Sequence, residues 1–151
     1  MPDTPQHEPL IVTRTLTIEA PRHRVWEAIT VPELIAEWFG DTATLELRPG
    51  GTGTFGWDDW GDFRLVVDEI DEPNSFSFRW ARDKDVDPVA GNSTLVRFTL
   101  SDHPGGTELT VVETGWEELD GDVDAAMKGN VDGWREELDE LVAFLEKQDS
   151  A

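Results

Sequence analysis

The sequence predicts an α+β fold in which a seven-stranded antiparallel sheet packs against one long helix near the C-terminal end. Outside residues 21–40, apolar and polar residues alternate in short runs from residue 10 to residue 114, which is typical of half-buried strands. From residue 123 to residue 146, apolar residues recur at steps of three and four, which is typical of an amphipathic helix. A single amphipathic helix must bury its apolar stripe against a partner, and the sheet is the natural one.

The first strand is predicted at residues 10–20, where apolar residues alternate with threonines. Arg14 is the one discordant residue on its apolar face. Pro21 can begin a short helix, which Pro32 interrupts. A second short helix follows and ends near Gly40.

Six further strands are predicted between residues 42 and 114. The strand at residues 75–80 is the clearest, and its inward face is wholly aromatic. Short connections favour an antiparallel meander, against one edge of which the first strand pairs. The longest loop is predicted at residues 82–92, and the turn sequences are residues 49–51, 58–61, 71–74 and 103–106.

The last helix carries an apolar stripe that two glycines accompany. Gly129 and Gly133 each cost about 1 kcal/mol relative to alanine inside a helix. They either leave space beside the stripe or allow the helix to pack closely on the sheet, and the sequence leaves both interpretations open. The stripe consists of Met127, Val131, Trp134, Leu138, Leu141 and Leu145.

Composition excludes several classes of partner. The 33 acidic and 12 basic residues give a formal charge of −21, which repels nucleic acids and anionic membrane surfaces. The acidity is spread along the chain with few lysines, as in proteins adapted to a salty cytoplasm and in ordinary acidic proteins alike. There is no cysteine, which removes disulfides and thiolate chemistry.

The chain is expected to form one cytoplasmic domain over residues 9–148, with disordered tails at residues 1–8 and 149–151. Its first nine residues are polar and proline-rich, unlike a signal peptide or a membrane span.

Several short motifs carry a resemblance to a known family. Over residues 10–146 the chain resembles the Hsp90-activator-homologue branch of the SRPBCC (START-like, Bet v 1-like) superfamily. The motifs are Ala20-Pro21, Val25-Trp26, Pro32-Glu33-Leu34, Trp38-Phe39-Gly40, Arg48-Pro49-Gly50-Gly51, Gly106-Thr107, Thr114-Gly115-Trp116, and Gly133-Trp134 with Leu138 and Leu141.

The resemblance implies a helix-grip fold, in which a curved seven-stranded sheet wraps around the C-terminal helix and often leaves an apolar cavity. The superfamily includes lipid and hormone carriers, polyketide cyclases and the C-terminal domain of the eukaryotic Hsp90 co-chaperone. The full co-chaperone has a separate domain that stimulates the ATPase, for which this chain has no room, so that activity is not expected here.

An aromatic set is expected either to surround a ligand cavity between sheet and helix or to fill the core. Ligand pockets are mostly apolar with a few polar groups, so the set is a candidate site. Its members are Trp38, Phe39, Phe55, Trp57, Phe63, Phe78, Trp80, Phe98, Trp116 and Trp134, with Met127 beside them.

Arg14 and Glu113 form a second candidate constellation. If the first and last strands are antiparallel neighbours, the two residues are expected to face each other on the inward side and to pair. Such a pair would either stabilise the fold or anchor the polar end of a ligand, and the structural role is favoured.

No catalytic set, metal site or cofactor is predicted. His7, His23 and His103 lie in the N-terminal tail, an exposed helical turn and a hairpin turn, away from any apolar pocket. Alternating aspartates at residues 83–87 and 120–124 lack the rest of a calcium loop and are interpreted as solvated acids, the second row also complementing the dipole of the last helix.

Three functions remain open at this point. The leading hypothesis is a non-enzymatic module that holds a small apolar or amphipathic ligand. The alternatives are a co-chaperone-like module that binds another protein, and a cyclase or hydrolase that acts on an aromatic ligand. A roomy cavity favours a small ligand, whereas a filled core with an exposed apolar patch favours a protein partner.

Overall fold

The computed structural model describes residues 10–119 and 121–149. The predicted tail at residues 1–8 and the last two residues of the tail predicted at 149–151 lie outside that range, and the last helix extends to Asp149. The elements are β1 Val12–Ile18, α1 Arg22–Thr30, α2 Pro32–Ile35, β2 Thr42–Leu45, β3 Thr52–Trp57, β4 Gly61–Asp71, β5 Ser75–Ala81, β6 Ser93–His103, β7 Gly106–Thr114, a 3-10 turn Trp116–Glu118, and α3 Val123–Asp149.

The sheet confirms the predicted topology. Its strand order is β1-β7-β6-β5-β4-β3-β2, and every neighbouring pair is antiparallel. Strands β2 to β7 form a meander in chain order. The first strand, β1, pairs with the last strand, β7, and so forms one edge of the sheet. The fold class is therefore α+β, a curved sheet with a long C-terminal helix and two short helices between β1 and β2.

Strand β4 contains a β-bulge. The register with β5 shifts between Val67 and Glu69, so Asp68 is an extra residue on this strand. Leu65 and Val67 face the core before the bulge, and the bulge alters the alternation beyond it.

Helix α3 begins at a capping aspartate. Asp122 Oδ1 accepts the backbone N–H of Ala125 at 3.0 Å, which satisfies one of the free N–H groups of the first turn. Asp124 lies in that turn and complements the helix dipole, as predicted for this acidic row. Asp120, the first residue of the row, lies outside the described residues.

The two halves of α3 differ in burial. Leu138, Leu141 and Leu145 are at most 1% exposed and join the core formed by the inward faces of the strands. In the first half, Val131 is 44% exposed, so its predicted place on the buried stripe is wrong. The apolar stripe holds the second half on the sheet, while the first half leaves room beneath it.

No helix in the two described ranges has both the length and the apolar composition that crossing a bilayer requires.

Candidate ligand-binding cleft

A cleft of about 530 Å³ lies between the first half of α3 and strands β3 to β5. Such a volume is within the range of small-molecule sites. Its walls are aromatic, and charged and amide side chains from α3 and from the residue that follows β5 lie among them. The aromatic residues that line it are Phe39, Trp57, Trp60, Phe63, Trp80 and Trp134.

The two glycines of α3 line this cleft and leave space in it. A Cβ placed on Gly129 or Gly133 would meet no atom within 4 Å, so neither glycine is required for close packing of helix on sheet. Of the two interpretations of the sequence, the structure supports open space.

Phe39 lies at the centre of the aromatic walls. Its ring stacks on Trp134 with centroids 5.4 Å apart and meets Trp57 edge-on at 4.9 Å. The next residue, Gly40, has φ +75°, and a Cβ there would lie 2.6 Å from the carbonyl oxygen of Gly56. Only glycine fits this approach, which brings the end of the α2 segment against β3 and fixes Phe39 in place.

Glu113 is a fully buried carboxylate behind the cleft wall, with 0% exposure. Its Oε2 accepts the Nε1–H of Trp80 at 2.9 Å and the hydroxyl of Thr94 at 2.5 Å. Its Oε1 accepts the side-chain amide of Asn130 at 2.7 Å and the Nε1–H of Trp134 at 2.9 Å. Four neutral donors thus solvate both oxygens in place of water, an arrangement that suits an ionised carboxylate because it only accepts hydrogen bonds.

These hydrogen bonds tie four elements together at the cleft, with Thr94 on β6 as the fourth. Trp80 comes from β5, Glu113 from β7, and Asn130 and Trp134 from α3. The carboxylate therefore orients two of the indole rings that form the cleft wall, and it holds the first half of α3 to the sheet where apolar packing is sparse.

The predicted pair between Arg14 and Glu113 is absent. In the register of β1 with β7, Glu113 lies opposite Val12 and Arg14 lies opposite Val111. Arg14 pairs instead with Asp139 on α3, at 3.7 Å. The inward orientation of Glu113 is confirmed, but its partners are neutral; a role of either residue in ligand binding stays a prediction.

Glu137 is a titratable group at the cleft. Burial, and after it the nearby carboxylates of Glu140, Glu136 and Asp41, together raise its pKa from 4.5 to about 7. The backbone N–H of Gly40 donates to Glu137 Oε2 at 3.3 Å and partly offsets these effects. Near neutral pH this side chain can therefore hold or accept a proton inside the cleft.

The structure divides the predicted aromatic set into two groups. Phe39, Trp57, Phe63, Trp80 and Trp134 line the cleft, and their contact with a ligand stays a prediction. The other members do not line it: Trp38, Phe55, Phe78, Phe98 and Trp116 are at most 3% exposed in the core, and Met127 packs against that core.

Several residues that line the cleft are not among those predicted from the sequence. Trp60 lies in a turn and is 71% exposed, so no strand pattern indicates its position. Glu136 and Glu137 follow Gly133 at helical spacings of three and four, which was an available signal for a shared face. The remaining residues missed are Ala81, Arg82, Asn130 and Asp132.

Candidate groups for metal binding do not assemble. Within residues 10–119 and 121–149, no three side chains of the metal-binding types converge on one point. Asp87, from the predicted acidic loop, pairs with Arg64 at 3.2 Å, which is the behaviour of a surface acid.

The fold and the cleft define a class of helix-grip proteins, and a family comparison makes the class specific. The family described as Activator of Hsp90 ATPase homolog 1-like protein matches residues 19–146. That match spans most of the chain, so the protein belongs to this family, as its short motifs predict.

Solved structures with a similar fold cover nearly the whole chain. MLL2253 from Mesorhizobium loti has a TM-score of 0.78 at 23% identity, covering 91% of this chain and 98% of that one. The Aha1 dimer from Colwellia psychrerythraea has a TM-score of 0.76 at 18% identity, covering 91% and 96%. DynU16, from the dynemicin biosynthetic locus, has a TM-score of 0.75 at 26% identity, covering 90% of this chain but 47% of DynU16, so this chain spans about half its length. The comparison with curated proteins gives no match.

Proposed function

We propose that this protein binds a small apolar or amphipathic molecule in the cleft between α3 and the sheet. The observation that carries the proposal is the open space beside Gly129 and Gly133. Each glycine costs the helix about 1 kcal/mol, and no close packing offsets that cost. A role in keeping the cleft open accounts for both positions.

The chemistry of the walls supports the same function. Flat aromatic faces provide a large apolar contact area at little cost in side-chain entropy. Trp80 and Trp134 are held in fixed orientations by the buried Glu113, so the site is largely formed before a ligand arrives. Preorganisation of this kind favours binding because fewer side chains must be ordered.

The experiment is native mass spectrometry of the protein purified from its own host, with two variants beside the wild type. Gly133→Leu extends a side chain into the cleft from a position whose Cβ meets nothing. Ala125→Leu adds a leucine at an exposed position of α3 that does not line the cleft, and serves as the matched control.

We expect a small molecule to accompany the wild type and the Ala125→Leu variant and to be lost from Gly133→Leu. If no small molecule accompanies any of the three and a chaperone does, the proposal fails. In that case the protein-binding alternative takes its place.

That alternative has its own supporting observation. Trp60 is 71% exposed at the rim of the cleft, and large exposed aromatic side chains are frequent in protein interfaces. The family to which the chain belongs takes its description from an activator of the Hsp90 ATPase, so a chaperone is the partner to test for.

An enzymatic role on an aromatic ligand has one supporting group, Glu137. Its pKa of about 7 would allow proton transfer to or from a ligand in the cleft. The similar protein DynU16 comes from a biosynthetic locus, which is the context in which such a cyclase would act.

A further inference from the structure

The charges around the cleft are predominantly negative. Asp132, Glu136 and Glu137 line it from α3, and Arg82, which directly follows β5, is the one cation among the described residues that line it. A ligand entering between these groups therefore meets more carboxylates than cations.

Arg82 is already engaged by protein groups. Its guanidinium lies 5.0 Å above the ring of Trp116, and its Nη1–H donates to Asn130 Oδ1 at 3.0 Å. These contacts hold its charge against the protein, so Arg82 does not neutralise the acids on α3.

Among the described residues, two of the three acids have no cationic partner. Within the described part of the chain, no ion pair involves Glu136 or Glu137, whereas Asp132 pairs with Arg135 at 3.2 Å. In the part of the chain that the structure describes, the hydrogen-bond donor to Glu137 is the Gly40 N–H, at 3.3 Å. A positively charged group on a ligand could therefore pair with the carboxylates of Glu136 and Glu137.

The aromatic walls favour the same charge. The face of an indole or phenyl ring is electrostatically negative and attracts a cation, most strongly for tryptophan. Trp57, Phe63 and Trp80 present aromatic rings to the cleft, and Trp60 adds a fourth at its rim. Rings and carboxylates thus line the same cleft, and both attract a cation.

We propose that the cleft selects a ligand that joins an aromatic or other flat apolar body to a positively charged ammonium group. The body packs against Phe39, Trp80 and Trp134, and the ammonium lies near Glu136 and Glu137. This inference rests on the proposed function, because it specifies the ligand class of the same cleft.

The net charge of −21 does not by itself carry this inference, since it attracts any cation to any face of the molecule. The arrangement of acids and aromatic rings at the cleft carries it. A pair of matched substitutions separates the effect of the overall charge from the effect of the acids at the cleft. Glu136→Gln and Glu27→Gln change the net charge equally, but Glu27 lies on an exposed face of α1 and does not line the cleft.

The test is calorimetric titration of the full chain with three probes that share one naphthalene body. They are the cation 2-naphthylmethyltrimethylammonium, the neutral 2-naphthylmethanol and the anion 2-naphthylacetate. The cation carries a permanent charge, so its own protonation cannot alter the result. Each probe is titrated into the wild type and into the Glu136→Gln, Glu27→Gln and Gly133→Leu variants.

We expect the wild type to bind the cation about tenfold more tightly than the neutral probe, and the anion most weakly. Glu136→Gln is expected to weaken cation binding about three- to tenfold and to leave the neutral probe unchanged. Glu27→Gln should change neither, and Gly133→Leu should weaken all three.

The two proposals fail in different ways. If the neutral or anionic probe binds as tightly as the cation, or if Glu27→Gln weakens cation binding as much as Glu136→Gln, the inference of a cationic ligand is wrong. If the cationic ligand class is wrong but Gly133→Leu abolishes binding of all three probes, the cleft is still the binding site and the proposed function stands. If no probe binds the wild type, or if Gly133→Leu binds all three as the wild type does, both proposals are contradicted.

Discussion

At the scale of single residues, Glu113 is the group whose surroundings most constrain the cleft. Glutamine at this position has nearly the same shape, but its amide nitrogen would point a donor at donors from Trp80, Asn130 or Trp134. Leaving buried donors unpaired costs about 1–3 kcal/mol. We therefore expect Glu113→Gln to lower the free energy of unfolding by that amount in urea denaturation.

Glu108→Gln is the matched control for Glu113→Gln. Glu108 lies on the same strand, on its other face, and is half-buried without these donors. Its substitution should change the free energy of unfolding by less than about 0.5 kcal/mol. Equal stability of the two variants would contradict the account of Glu113.

The raised pKa of Glu137 predicts that the stability of the fold depends on pH. Its folded pKa of about 7 lies above its ordinary value of 4.5, so the folded state holds this proton more tightly than the unfolded state. The stabilisation is complete below about pH 4.5 and is lost as the pH rises through about 7. Because the carboxyl still reaches solvent, we expect a loss of about 1–2 kcal/mol rather than the full conversion of the pKa difference.

Glu137→Gln should remove this loss. Urea denaturation at about pH 5 and about pH 8 would measure it, with Glu27→Gln as a control that keeps the wild-type pH dependence. A wild type and a Glu137→Gln variant with the same dependence between these pH values would show that the protein does not perturb this carboxyl.

At the scale of elements, α3 combines a packed second half with a first half that borders open space. Gly129→Ala and Gly133→Ala add a methyl group where nothing lies within 4 Å, so they should stabilise the helix by about 0.5–1 kcal/mol each. The midpoint temperature of thermal unfolding, Tm, is expected to rise by about 2–4 °C for each kcal/mol of added stability in a chain of this length.

The same substitutions narrow the cleft, so higher stability should accompany weaker ligand binding. Ala125→Gly, at an exposed position of the same helix, is expected to lower stability without affecting the cleft. Glycine variants that lose stability would indicate a packing role for these residues, contrary to the structure.

Sequence periodicity predicts the elements well because each strand and helix buries one face. The first strand, the aromatic strand β5 and α3 all follow from local alternation or helical spacing. The partner of Glu113 does not follow from it. A register displaced by two residues keeps every side chain on the same face, so the pattern that places Arg14 and Glu113 inward cannot show that Val12 is the residue opposite Glu113.

The cleft is less predictable than the strands for a similar reason. Its lining joins residues from turns, from β3 to β5 and from α3, which come together only in three dimensions. The aromatic composition indicates either a core or a site, and the structure contains both: Phe78 is fully buried in the core, while Trp57 is partly open at the cleft. The best local signal for the position of the cleft is the pair of glycines in α3, because glycine destabilises a helix interior and its presence there indicates another role.

At the scale of the whole molecule, the sheet and the second half of α3 form a scaffold, and the first half of α3 closes one side of the site. Glu113 connects the two parts through Asn130 and Trp134. Phe39 and Trp134 belong to the buried core and also line the cleft, so the scaffold and the site share these two residues.

The measurement that tests this account most directly is the set of intermolecular nuclear Overhauser effects from bound 2-naphthylmethyltrimethylammonium to the tryptophan indole protons. The account predicts contacts from the naphthalene protons to Trp57, Trp80 and Trp134, which line the cleft, and none to Trp26 or Trp38 in the core. Contacts confined to the outer face of the sheet, near Thr54 and Arg64, would contradict it.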